Sequence, residues 1–163
     1  MSQPLQLKEL FEEIPEDMRK VFIGTGTYKD VTCRMISPHF GKVIVIDESI
    51  ASFMGCDKIE AHLGDSVDVL PRLYEDYKDG AVFYMDAHVS NWDGYNKLDN
   101  PVPLLKEIGV INRKPLGPSL FIIDDMKILL NGYWQVLSQF RPDQIKKAYE
   151  KNDRYWIFTN QTL

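Results

Sequence analysis

Val21-Phe22-Ile23-Gly24-Thr25-Gly26-Thr27, followed by Tyr28-Lys29-Asp30-Val31-Thr32, is a short apolar run that breaks into a paired-glycine turn and then into a helix-like segment, Lys29 to Ile36. Glycines so placed permit a tight turn and let a ligand approach the backbone closely. A GxG pair alone is often only a turn, and its position between a strand and a helix is what gives it weight. The third glycine of a dinucleotide fingerprint is missing, because Asp30 and Val31 occupy that region. That absence counts against a nicotinamide-dependent oxidoreductase.

Similar apolar, β-branched runs recur on the C-terminal side: Lys42 to Ile46, Ile59 to Leu63, Ala81 to Met85, Leu120 to Ile123 and Tyr155 to Thr159. Runs of this length with little polar alternation predict strands buried on both faces, hence a parallel sheet. Helix-like stretches separate them. Leu5 to Met18 has apolar residues at 5, 7, 10, 11 and 14. Ser49 to Met54 is short, and Ser66 can cap a segment to about Tyr77, with Pro71 in its first turns or marking its true start. Pro103 to Ile111 carries Leu104, Leu105 and Ile108 on one face, and Tyr133 to Phe140 and Asp143 to Lys151 complete the set. Strand–helix alternation with right-handed crossovers predicts one doubly wound α/β domain over residues 1–163, a three-layer α/β/α sandwich.

Composition narrows the function classes. With 44% hydrophobic and 26% charged residues the chain suits a globular protein, and 163 residues can bury a core. No apolar run approaches the ~18 residues of a membrane span. The first twenty residues mix acids and bases without the apolar centre of a signal peptide, so export is not expected. Cys33 and Cys56 form no disulfide framework and no CxxC pair, which places the expectation in a reducing cytoplasm. A net charge of −5 argues against a nucleic-acid partner, which needs a basic patch. The one basic cluster, Lys146, Lys147, Lys151 and Arg154, reads as the solvated face of a late helix.

Ligands of an open α/β sheet gather at the carboxyl ends of the strands. Read in order, those ends are Gly24-Thr25-Gly26-Thr27, Asp47-Glu48-Ser49, Gly64-Asp65-Ser66, Asp86-Ala87-His88 and Asp124-Asp125. Five polar or glycine-rich ends in a row predict a site. A carboxylate at Asp47 can accept hydrogen bonds from both hydroxyls of an adenosine ribose, or can cap the short segment after it. Asp65-Ser66 can meet an adenine amino group, cap the following helix, or do both.

Taken together, FIGTGTYKDVT, VIVIDES, HLGDSVDVLPRL, FYMDAH, PLLKEI and FIIDDM resemble class I S-adenosylmethionine-dependent methyltransferases. Within that class the chain is most similar to a group of small bacterial and viral methyltransferase-like proteins with an ETGT turn, a DAH motif and a terminal IDD strand. The resemblance covers about residues 20 to 130. It implies a Rossmann-like, mostly parallel sheet of order 3-2-1-4-5 with one or two further C-terminal strands. It also implies S-adenosylmethionine at Gly24, Thr25, Gly26, Asp47 and Asp65, with Thr27, Ser66 and Asp86 as neighbouring candidates.

In that strand order the fourth and fifth strands adjoin, and Asp86, Asp124 and Asp125 converge. Three such carboxylates repel one another, and a divalent cation such as Mg²⁺ relieves the conflict. The arrangement is similar to catechol-type and macrolide-sugar O-methyltransferases, in which an acid after strand four and an acid pair after strand five hold Mg²⁺. The implied reaction is metal-assisted methylation of a hydroxylated small molecule or sugar, with His88 as base, Asp86 beside it and Lys97 a weaker candidate. The alternative stands beside it: Asp124 or Asp125 caps a helix, and Asp86 holds the cofactor amine or a loop. His39 and His62 read as structural, and Trp92 and Tyr95 lie on a loop, Ser90 to Asn100, that suits either a substrate lid or packing on the body.

Three departures from the family pattern stand out. Gly24 replaces an acid that helps hold the methionine amine, and the segment between strands two and three is short. After Asp125 only one strand is evident, which leaves a sheet trimmed to six strands or an edge covered by a partner chain, as in a homo-oligomer. These departures also suit a cofactor-binding scaffold that keeps the fold without the reaction.

Overall fold

The structure, a computed structural model, describes residues 5–26, 31–47, 57–86, 103–124 and 132–160. Five parallel strands form its centre: β1 (Val21–Thr25), β2 (Lys42–Asp47), β3 (Ile59–Leu63), β4 (Val82–Met85) and β5 (Leu120–Ile123). An antiparallel pair, β6 (Ile145–Lys151) and β7 (Arg154–Thr159), continues the sheet to the order β3-β2-β1-β4-β5-β7-β6. This is the doubly wound, Rossmann-like arrangement expected, with both terminal strands present.

The sheet has two apolar faces because its central strands carry runs of consecutive apolar residues, such as Val43 to Ile46 and Leu120 to Ile123. On one face Phe22, Val43, Val45, Tyr84, Ile122 and Trp156 pack under α1 (Leu7–Glu13) and α2 (Val31–Ile36). On the other, Ile23, Ile44, Ile46, Phe83, Phe121 and Ile157 pack under the remaining helices. Those helices are α3 (Ser66–Val69), α4 (Tyr74–Tyr77), α5 (Leu104–Ile111) and α6 (Gly132–Leu137).

Several expected helices are shorter than their apolar patterns. Leu5 to Met18 resolves into α1 and a 3₁₀ turn at Glu16–Met18, with Pro15 between them. Ser66 to Tyr77 divides into α3, a 3₁₀ turn at Leu70–Leu73 and α4, with Pro71 in the first turn of the 3₁₀ piece, where its missing N–H costs nothing. The cap of α3 is Asp65, whose Oδ1 accepts from the Val67 N–H at 2.9 Å.

The C-terminal expectation is corrected. Asp143 to Lys151 is a 3₁₀ turn, Pro142–Gln144, followed by β6, and the sheet has seven strands. The β6–β7 hairpin turns at Asn152 and Asp153, with φ of 55° and 60°. A two-residue turn with both central residues at positive φ matches the right-handed twist of its strands, and Asn and Asp tolerate it better than most residues. Lys146 and Lys147 are exposed on the outer strand, where lysines discourage edge-to-edge pairing. Arg154, expected on a solvated helix face, is instead 1% exposed in the sheet.

Candidate cofactor and acceptor site

Parallel register carries the strand ends into one row. Thr25 is opposite Ile46 and Met85, Ile46 precedes Asp47, and Met85 is opposite Ile123. One residue further on, Asp47, Gly26, Asp86 and Asp124 therefore line up across four strands. Backbone hydrogen bonds extend the ladders into this row: Gly26 N–H to Ile46 O (3.1 Å), Asp86 N–H to Thr25 O (3.1 Å) and Asp124 N–H to Met85 O (3.0 Å). At about 4.8 Å per strand, Asp47 and Asp86 are roughly 10 Å apart along the row, with Gly26 between them. The row straddles β1, beyond which the chain winds in opposite directions, the switch point where such sheets bind ligands.

Gly26 has φ +65°, a left-handed conformation that explains a glycine at the turn. Gly24 is buried on the same face as Tyr84, so it offers the cleft no side chain. Asp47 and Asp86 are both partly exposed at the edge.

The remaining predicted residues divide. Asp65 is exposed at the cap of α3, so both readings of it are compatible. Ser66 is not turned outward: its hydroxyl donates to Glu107 Oε1 within the core. Thr25 also points inward and is 1% exposed. Thr27, His88, Lys97, Trp92, Tyr95, Asp125 and the Ser49–Met54 segment lie outside the described residues. His62 pairs with Glu60 at 2.7 Å and His39 makes an edge contact with Phe11, in keeping with structural roles.

Asp124 faces a surrounding that no strand-end reading contains. The pairing of Ile122 with Trp156 and Ile123 with Tyr155 extends to Asp124 opposite Arg154. Arg154 Nε lies 3.3 Å from Asp124 Oδ2, and the Tyr84 hydroxyl donates to the same oxygen. Arg154 Nη1 also reaches Glu9 Oε2 at 3.2 Å, and Asn152 Nδ2 donates to Glu9 Oε1 at 2.6 Å. Burial, reinforced by the Asp124 charge, raises the Tyr84 phenol far above its ordinary value, so it stays a hydrogen-bond donor. A guanidinium thus supplies a countercharge at Asp124. Among the described residues no three His, Cys, Asp or Glu side chains form a cation site.

Sequence reasoning also missed Glu107. It stands on α5 in the stripe Leu104, Glu107, Ile108, Ile111, whose i, i+3, i+4, i+7 spacing would have flagged an acid on a buried face. It is 0% exposed. Burial pushes its carboxyl up to about 7, against the lowering influence of the Ser66 and Thr25 hydroxyls, with the nearby Asp65 charge adding a smaller upward push.

In fold, the chain resembles the MycE methyltransferase of the mycinamycin biosynthetic pathway, solved with Mg and S-adenosylhomocysteine (SAH). The TM-score is 0.62 at 13% identity, over 90% of this chain and 46% of MycE, so the chain spans about half the length of that protein. It also resembles human methyltransferase-like protein 13 in complex with SAH, with TM-score 0.54 and 16% identity over 97% of this chain and 77% of that one. Spermidine synthase from Thermotoga maritima gives TM-score 0.56 at 10% identity, over 93% of this chain and 57% of that one. No protein-family profile and no curated protein sequence matches the chain. At these identities the likeness establishes the fold: this chain has the architecture shared by S-adenosylmethionine-dependent methyltransferases.

Proposed function

We propose that this chain is an S-adenosylmethionine-dependent methyltransferase acting on a hydroxyl group of a small molecule or sugar. The observation that carries the reading is the row Asp47, Gly26, Asp86, Asp124 at the carboxyl edge of the sheet, centred on the switch point. The neighbours bound to SAH share this fold and support the choice of cofactor. The chain fits that group: a positive-φ glycine admits it to the backbone, and a carboxylate one strand away suits a ribose diol.

Bound there, S-adenosylmethionine supplies an electrophilic sulfonium methyl group. Asp47 accepts the ribose hydroxyls, and the Gly24–Gly26 turn lets the methionine end lie against the main chain. Asp86, one strand away on the acceptor side, orients the incoming hydroxyl. Asp86, or the imidazole of His88, would take up the acceptor's hydroxyl proton. The net charge of −5 favours a small neutral acceptor over a polyanion.

The metal-assisted form of this reaction does not suit Asp124 as placed here, because its Oδ2 already faces Arg154 and Tyr84. No step of the mechanism is therefore routed through a metal. Thermal shift with millimolar SAH, with and without Mg²⁺, tests both levels. Stabilisation by SAH is expected, with no additional Mg²⁺-dependent rise; no response to SAH sinks the proposal, and a rise that requires Mg²⁺ restores the metal.

A scaffold without transfer activity is the second reading, favoured by Gly24, which leaves no side chain to hold the methionine amine. SAH binding without methylation of any member of a broad panel of hydroxylated acceptors would select it. Product formation lost in Asp86→Ala would exclude it.

A further inference from the structure

Two cations stand side by side, Arg113 and Lys114, in the loop that joins α5 to β5. A third, Arg141, stands in the loop that joins α6 to β6. β5 and β6 both start beside the end of β7, Leu120 opposite Phe158 and Ile145 opposite Thr159, and this brings the two loops together. They meet at the edge where the parallel strands begin, a strand length away from the row Asp47, Gly26, Asp86, Asp124. A cleft of about 200 Å³ opens between them, with all three cations in its wall.

Hydrogen bonds hold the walls in place. Asn112 Nδ2 donates to Gln139 O at 3.0 Å, which clips the end of α5 to the chain beyond α6, and the Tyr74 hydroxyl donates to Pro115 O at 2.8 Å. Gln144, only 7% exposed, also lines the cleft. Its Oε1 accepts from the Arg141 N–H at 2.8 Å, so its amide NH2 is the end left to donate, and among the described residues that end has no acceptor. The cations are matched no better. Arg113 has no ion pair among the described residues, and Lys114 lies over the Tyr74 ring at 4.4 Å. Arg141 meets one acid, Asp143, at 3.3 Å between exposed groups. The chain has 24 Asp and Glu residues and a net charge of −5, yet among the described residues no acid lines the cleft. Cations just past the last turn of α5 suit the helix dipole by themselves. That accounts for Arg113 and Lys114, but not for Arg141 and the Gln144 amide, which reach the same cleft from a different loop.

We propose that this cleft is a second binding site, for the phosphate group of inorganic phosphate or of a small phosphate monoester, with Arg113 and Arg141 as its charged ligands, Lys114 as a third charge and the Gln144 amide as a neutral donor. A dianion fits the charge, since Asp143 offsets one of the three cations. Guanidinium forks match the oxygens of a phosphate, which a point charge does not. An extended polyanion is not the occupant, because the net charge of −5 repels it beyond the few residues of the cleft. The proposal does not depend on the methyltransferase reading, because no residue of the strand-end row takes part. Occupation fastens the α5–β5 loop to the α6–β6 loop.

Calorimetry on the full chain with inorganic phosphate and with glycerol phosphate, at low ionic strength and about pH 8, where both are largely dianions, tests the site. Millimolar or tighter binding of at least one is expected, weakening as salt rises. Arg113→Gln and Arg141→Gln should each weaken it by about tenfold. Asp143→Asn, which frees Arg141 from a competing carboxylate, should tighten it. All three side chains are exposed, so the variants should keep the fold, which circular dichroism checks. Asp47→Ala, at the other edge of the sheet, should leave the affinity unchanged. Equal affinity for the two ligands supports the site with free phosphate as sufficient, and a several-fold preference for the ester supports it with an esterified ligand. No binding of either, wild-type affinity in both arginine variants, or weaker binding in Asp143→Asn overturns the proposal. So does a response that chloride reproduces at matched ionic strength, because it marks screening of surface charge and not a site.

Discussion

Replacing Arg154 by methionine keeps most of the apolar stem and deletes the charge, which isolates what the guanidinium does. Arg154 is buried and lies 3.2 Å from Glu9 Oε2 and 3.3 Å from Asp124 Oδ2. Both carboxylates are buried as well, so R154M leaves two negative charges in the core without their shared cation. Breaking a buried pair in this way costs about 3–5 kcal/mol, because an uncompensated charge stays behind. Asn152 still holds Glu9, which puts the expectation toward the lower end. For a chain of this length, about 3 kcal/mol corresponds to a fall in Tm of roughly 10 °C. Urea unfolding followed by circular dichroism gives the free energy, and an unchanged slope shows that the native state keeps its compactness.

The pH dependence makes the test specific. Orphaned buried carboxylates take up protons more readily in the folded variant than in its unfolded chain, so stability is lost as pH rises through their raised values. The gap between R154M and wild type should therefore narrow on acidification from pH 7 to pH 5. The triple variant E9L/D124N/R154M, which removes both charges with the cation, should recover most of the loss. A single-variant cost below about 1 kcal/mol, or a gap that does not change with pH, would refute the claim that Arg154 neutralises Asp124 and Glu9.

Three further outcomes are expected. Asp47→Ala should leave the fold intact and weaken SAH binding by about 10- to 100-fold, from the loss of charge-assisted hydrogen bonds worth roughly 1.5–3 kcal/mol; calorimetry measures it. Glu107 has a folded value of about 7 against 4.5 when free, so the folded state binds more protons between those values and stability should fall as pH rises from about 4.5 to 7, by at most roughly 3 kcal/mol; urea titrations of wild type and Glu107→Gln should show that slope only in the wild type. Glu13 is held below its ordinary value first by its bond to Lys151 and then by Tyr149, so its stabilising effect is present above pH 4.5 and is lost as pH falls through the lowered value; amide exchange in α1 should accelerate there, and Glu13→Gln should abolish the acceleration.

The parallel strands were legible because KVIVI and LFII are buried on both faces, and such a run needs no partner to be recognised. Their ends were legible as a row for the same reason, since parallel register sets Asp47, Gly26, Asp86 and Asp124 side by side wherever the strands are found. β6 was not legible. IKKAYEK is rich in helix-favouring residues and only partly buried, and what makes it a strand is its pairing with β7 through a turn at Asn152 and Asp153. Missing that hairpin carried directly into the site. Without β7 antiparallel to β5, nothing places Arg154 opposite Asp124, and three clustered carboxylates call for a cation from solution. With β7 in place, Arg154 supplies a countercharge at Asp124. Local sequence could place the acids at the sheet edge, but the charge that compensates Asp124 comes thirty positions later, from a strand whose existence depends on tertiary pairing.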